Sequence, residues 1–237
     1  MDKESKFKRE QEYENKPFDK GLQFFCSWSG GKDSCLSLYR AIQTGAIPII
    51  LLTMLSAKTG KSETHALDGR LIKAQSEALN IPLRTFKMEE NQYQDYENTL
   101  LKEVLCLSKM GIKGGIFGDT QYGLSKANRV CEKAGMAAWL PLWHADPIAT
   151  FNEFIDLGFK SVIVCCSNSM LGKEALGQTL TKDLLKFIIK KGIDPLGEEN
   201  EYHTFVYDGP IFSKPIKFIQ GDTKRIGDYW VNELEPA

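Results

Sequence analysis

The sequence lacks the features of a disulfide-stapled, metal-cluster or membrane protein. Its six cysteines, at 26, 35, 106, 131, 165 and 166, include no CxxC pair. Most lie in apolar segments, so buried, reduced thiols are expected rather than zinc ligands or disulfides. There are only three histidines. No apolar run approaches the length of a membrane span. Neither sign of charge dominates, with 30 Lys and Arg against 31 Asp and Glu. No long basic run occurs either, so bulk nucleic-acid binding is not expected. The opening stretch MDKESKFKREQEYENKPFDK mixes both charges and has no apolar core like that of a signal peptide. Residues 1–21 are therefore expected to form a solvated extension, and the chain to be cytoplasmic.

What is present is a core-forming chain. Hydrophobic residues make up 42% of 237, enough for a sizeable interior without staples. Short apolar runs alternate with helical spacing. Strands are expected at Leu22–Trp28, Ile47–Met54, Pro82–Met88, Ile112–Phe117 and Ala137–Leu142. Helices are expected at Ser34–Thr44, around Leu71–Leu79, at Tyr93–Met110 and up to Ala134. This alternation predicts an α/β fold, a parallel sheet sandwiched by helices. After about Trp143 the texture changes. A helix near Ile148–Leu157, a strand Ser161–Cys166 and a helix Leu180–Lys191 precede an irregular stretch, GIDPLGEENEYHTFVYDGPIF. Two strand-like runs, Pro215–Gln220 and Arg225–Leu234, close the chain. Two domains are thus expected, 22–143 and a smaller α+β domain at 144–237.

Ser29-Gly30-Gly31-Lys32-Asp33-Ser34 sits where the first strand gives way to the first helix. Two glycines allow a tight turn and close backbone approach. The helix start supplies free N–H groups and partial positive charge. Lys32 adds a full charge, and Ser29 and Ser34 add hydroxyls. Together they form an anion cradle suited to phosphate. The Walker A pattern is absent, because Lys32 is followed by Asp33 and Cys26 stands where its first glycine belongs. A carboxylate inside a phosphate cradle repels its ligand unless a cation lies between them, so Asp33 points to Mg²⁺ on a polyphosphate. A plain strand–helix turn is the competing reading.

The stretch SGGKDS resembles the PP-loop of the ATP pyrophosphatases, whose fold is Rossmann-like. That resemblance implies a loop that grips the β- and γ-phosphates of ATP while a substrate oxygen attacks the α-phosphate. Further stretches narrow it: Gly118-Asp119, Arg129-Val130-Cys131, Pro141-Leu142-Trp143 and Gly197-Glu198-Glu199-Asn200-Glu201-Tyr202-His203-Thr204. In this order they resemble the diphthine–ammonia ligase family. The resemblance implies ATP and Mg²⁺ as cofactors and ammonia or ammonium as nucleophile. It implies a carboxylate acceptor, which in the family is diphthine on elongation factor 2. Leu196, Asn200, Asn128 and Gln178 depart from the family's usual residues, where an acceptor would be recognised.

The implied site residues are Lys32, Asp33, Glu198, Glu201 and His203 for catalysis. Ser29, Gly30, Gly31, Lys32, Asp33, Ser34, His65, Gly118 and Asp119 are implied for the nucleotide. From the residues alone, a carboxylate of the Glu198–Glu201 segment can bind ammonium and a base can deprotonate it. A capped turn explains that spacing equally well. His65 and Arg70 flank a polar loop after the second strand and can face a nucleotide, and an ordinary surface loop is the rival reading. Trp143 and His144 read as packing at the junction. A related bacterial-type ATP-dependent amide ligase on another carboxylate, a sulfur transferase acting on transfer RNA and a nucleotide sensor without catalysis are the other functional readings. Cys165-Cys166 suits a core strand better than a sulfur relay. The oligomeric state stays open, a homodimer included.

Overall fold

The computed structural model describes residues 15–62, 65–89, 96–121 and 124–237. The expected extension at 1–14, and the expected start of the third helix at 93–95, lie outside these residues.

Five short strands build the first sheet: β1 (Gln23–Ser27), β2 (Ile47–Ser56), β3 (Leu83–Met88), β4 (Gly114–Ile116) and β5 (Ala137–Trp139). Their order is β3-β2-β1-β4-β5 and their pairings are parallel. Four helices connect them: α1 (Lys32–Gln43), α2 (Gly69–Leu79), α3 (Tyr96–Lys109) and α4 (Leu124–Lys133). Local chemistry sets their ends. Asp68 caps α2 by accepting the Arg70 N–H at 2.7 Å, and Asn80 ends it in the left-handed conformation.

Adjacent residues of β1 point to opposite faces. Phe24 joins a core with Leu36, Leu71 and Ile72 under α1 and α2. Phe25 joins another with Leu100, Val104 and Val130 under α3 and α4. Both faces of the sheet are therefore covered, as a parallel sheet requires.

The second sheet is antiparallel, with order β7-β6-β9-β8: β6 (Lys160–Ser167), β7 (Tyr202–Asp208), β8 (Phe218–Ile226) and β9 (Tyr229–Pro236). Helices α5 (Pro147–Asp156) and α6 (Lys182–Lys190) pack beside it. Asp146 caps α5, with Pro147 in its first turn, and Thr181 caps α6. The core under α1 runs on without a break into Phe151, Ile163 and Phe205 of this half.

Three expectations need correction. Residues 15–21 are not all solvated. Phe18 is buried between Phe24 and Trp139, and the Asn15 side chain exchanges two hydrogen bonds with the Leu140 backbone. The stretch read as irregular contains β7, whose Tyr202–Val206 run is largely buried against β6. The closing runs form one long hairpin, β8–β9, because Gly221 and Asp222 sit in a bulge rather than ending a strand. Cys106 is the exposed exception among the thiols.

Glycine at the centre of β4 is a packing requirement. A Cβ on Gly115 would stand 2.5 Å from the Phe25 ring and 3.1 Å from Cys131 Sγ. Gly115→Val should therefore destabilise the protein by about 1–3 kcal/mol through overpacking, read from urea unfolding. An unchanged midpoint and slope would show that the ring has room to move.

Candidate active site

The order of the first sheet reverses its winding at β1 and β4. Crevices that hold ligands open at such switch points, beyond the carboxyl ends of the strands. A cavity of about 680 Å³ lies there. The glycine loop after β1 and Gly118-Asp119 after β4 form one wall. Residues of the segment Leu196–Thr204, which runs into β7, complete the lining.

Of the expected residues, Ser29, Lys32, Asp33, Ser34, His65, Gly118, Asp119, Glu198 and His203 line this cavity. Residues far apart in sequence are in contact there: His65 Nδ1 lies 2.8 Å from the Thr204 carbonyl, 139 positions on, and the His65 and His203 rings are 4.8 Å apart. Because a carbonyl only accepts, His65 Nδ1 carries the proton and Nε2 has the free lone pair.

Gly30 and Gly31 are not themselves among the lining residues. Gly30 has φ +83°, and a Cβ there would meet Gln75 at 2.7 Å; one on Gly31 would meet His65 at 2.3 Å. Protein packing, not only ligand approach, demands these glycines. Gly118 serves the same end. A Cβ there would stand 2.8 Å from Ser34 N, so β4 could not approach the start of α1.

Lys32 is buried. Its Nζ donates to Asp33 Oδ2 at 2.9 Å and to the Leu196 carbonyl, and sits 4.9 Å from the centre of the Tyr202 ring. The ammonium thus binds the loop of the second half to the cradle of the first. No side chain of the glycine loop caps α1. The Lys32 N–H donates instead to Thr204 Oγ1 at 3.0 Å, so β7 takes one of the donors left open at a helix start.

Electrostatics divide the cavity. Burial raises Asp33 above the usual carboxylate range, opposed by Lys32. Burial, with Asp33 and Asp119 nearby, pushes Glu198 up to about 7. Burial lowers His65 to about 4, and Lys32 adds to the effect. Burial and the charges of His65 and Lys32 hold His203 well below the ordinary histidine value. At neutral pH both imidazoles are uncharged, and Glu198 is poised near half ionisation.

Two expected residues stand elsewhere. Glu201 is buried, but its Oε2 accepts the Glu199 N–H at 2.9 Å and so closes the turn; it does not line the cavity. Arg70 pairs with Asp68 at the start of α2, its side chain 70% exposed. The Trp143 and His144 rings lie 4.6 Å apart and tilted by 57°, also off the cavity.

The sequence reading missed several lining residues. Trp28, Leu52, Met54, Phe86, Tyr96 and Leu100 add largely apolar surface to the lining, and Lys126 stands over the Tyr96 ring at 5.0 Å. Isolated residues on strands and helices carry no local signal of this. Thr204 was adjacent to a named residue, yet its bond to Lys32 spans 172 positions.

The cysteines suit a core. Cys165 and Cys166 lie buried in β6, and burial pushes their thiols up to about 11 and about 12. Thiols held protonated are poor sulfur carriers.

Comparison with known proteins agrees with this geometry. Residues 23–138 match the diphthamide synthase N-terminal domain and residues 146–233 match the diphthamide synthase C-terminal domain. A diphthine–ammonia ligase of Schizosaccharomyces pombe is 28% identical over 211 residues, covering 79% of this chain and 34% of that protein. The chain thus spans about a third of that relative's length. A diphthine–ammonia ligase of Mus musculus is 28% identical over 215 residues, 79% of each chain. A solved structure described as a predicted subunit of tRNA methyltransferase from Methanocaldococcus jannaschii aligns over 80% of this chain and 98% of its own, at 12% identity and a TM-score of 0.45. That likeness is too distant to bear on function. With both domain models matched in order across most of its length, the chain belongs to the diphthamide synthase family.

Proposed function

We propose that this protein is an ATP-dependent, AMP-forming ligase that joins ammonia to a carboxylate. The observation that carries the reading is the shared cavity. The SGGKDS loop and the GEENEYHT segment, far apart in sequence, both line it. The relatives named above as diphthine–ammonia ligases support it.

In the reaction, an acceptor carboxylate oxygen attacks the α-phosphorus of ATP and pyrophosphate leaves. Ammonia then attacks the acyl carbon of the mixed anhydride, and AMP leaves as the amide forms. Ser29, Ser34 and the start of α1 bind the phosphates, with Lys32 turning from Asp33 towards them. The apolar part of the lining suits a base. Mg²⁺ would neutralise charge on the triphosphate. Asp33 and Asp119 fit it chemically, being hard oxygen donors around one cavity. No ready-made cluster of three ligands occurs among the described residues. That suits an ion held by one or two carboxylates and the phosphates themselves.

Glu198 is the residue we assign to the proton of ammonium. Its carboxyl ionises near neutral pH, which matches it to proton transfer there. His203, held neutral, offers a lone pair to orient the nucleophile but is a weak base. Glu201 supports the turn that presents both. We place acceptor recognition in the second half, 144–237, and the acceptor is diphthine on elongation factor 2 where that modification exists.

Product analysis tests the reading. With ATP, Mg²⁺, ammonia and a diphthine-bearing elongation factor, the expected products are AMP and pyrophosphate. ADP and phosphate as main products would remove it.

A pH series tests Glu198. Ammonia-dependent AMP release should rise with pH through about 7. Glu198→Gln should lose that limb and about two to three decades of rate. Stability should move the other way. The folded protein ionises Glu198 at about 7 instead of 4.5, so its stability falls as pH rises between those values. Glu198→Gln should therefore melt higher than wild type at about pH 8 and equally at about pH 4. An intact pH limb in the variant would assign the proton to another group.

A further inference from the structure

Gln75 lies on α2, outside the cavity, with no exposed surface. Burying a primary amide is unfavourable unless its hydrogen bonds are supplied. Here they are. Gln75 Nε2 donates to the Gly30 carbonyl at 2.9 Å and to the Val206 carbonyl at 2.7 Å. Its Oε1 accepts from Trp28 Nε1 at 2.9 Å. The Val206 N–H donates to the same Gly30 carbonyl at 3.0 Å. The Trp28 carbonyl accepts from Thr53 Oγ1 at 2.7 Å. One amide therefore gathers the glycine loop, the residue that leads into it, and β7.

An apolar side chain of the same volume would fill this space equally well. What the amide adds is direction. The surroundings of Gly30 are otherwise apolar: a Cβ there would meet Ile72 at 2.8 Å and Leu67 at 3.0 Å. Apolar contacts of that kind set a distance but permit sliding. Three directed hydrogen bonds tie α2 to Trp28, to Gly30 and to Val206 at once.

We propose that Gln75 is a positioning residue for the ligase reaction. It holds the glycine loop in register with β7, and so sets the separation between the phosphate grip and the wall that carries His203 and Thr204. The inference rests on the reading of the cavity as an ATP site.

The test compares Gln75→Met with Ser76→Ala. Ser76 is the next residue on α2, buried, and donates to the Ile81 carbonyl at 2.6 Å. Losing that bond reports what an ordinary buried hydrogen bond on this helix is worth. Both variants should melt lower than wild type. Only Gln75→Met should also lose affinity for Mg-ATP in calorimetry, by about tenfold or more. A folded Gln75→Met that binds Mg-ATP like the wild type would overturn the inference and leave the functional reading standing. No binding by the wild type would overturn the functional reading, and the inference with it. Should Gln75→Met not fold, hydrogen exchange in the wild type decides. Mg-ATP should slow exchange of the Val206 amide, and unchanged exchange there with nucleotide bound would contradict the proposal.

Discussion

The contact between β7 and the glycine loop is the constraint from which the rest of the site follows. A helix start leaves backbone N–H groups without partners. In α1 the first of these, at Lys32, is taken by Thr204 of β7. The Val206 N–H and the Gln75 amide both hold the Gly30 carbonyl. Lys32 returns the link by donating to the Leu196 carbonyl. These bonds lie at the edge of a hydrophobic core that runs from under α1 into the second sheet. The two halves are thus sutured by polar bonds at the cavity and by apolar contact behind it. A shift of β7 would move His203 and the phosphate grip together.

The same closeness explains the electrostatics. Lys32, Asp33, Asp119, Glu198, His65 and His203 line one partly enclosed space, where each charge is felt by the next. Carboxyl groups are pushed up and imidazoles down. For Glu198 and the two imidazoles the usual order is inverted, which is how one site can hold a carboxyl that exchanges protons near neutrality beside imidazoles that stay uncharged. The carboxylates also outnumber the lining cations, Lys32 and Lys126. A triphosphate would add to that excess, so under the proposed reaction a divalent cation is part of the substrate complex.

Much of this was legible in the sequence, and the limits have physical causes. The five parallel strands and their helices announce themselves because strands buried on both faces must be continuously apolar, and helices between them must be amphipathic. The glycine loop was legible because its chemistry is local. β7 was not, because EYHTFVYD follows a turn rich in Gly, Asn and Glu and carries polar residues that face a cavity rather than solvent. Gly221-Asp222 looked like a strand end, whereas a bulge absorbs both residues. Glu201 and Glu198 look equivalent in sequence. Only the folded turn shows that Glu201 accepts the Glu199 N–H while Glu198 faces the cavity. Gln75 carries no local sign at all, since its partners stand 45 and 131 residues away.

The central claim is that the nucleotide site is built by both halves at the β7 junction. A crystal structure with Mg²⁺ and a non-hydrolysable ATP analogue tests it most directly. The account predicts phosphates against Ser29–Ser34 on one side, and on the other a contact with the Glu198–Thr204 segment, directly or through the metal ion. An analogue bound wholly within the first half, with that segment apart from it, would contradict the claim.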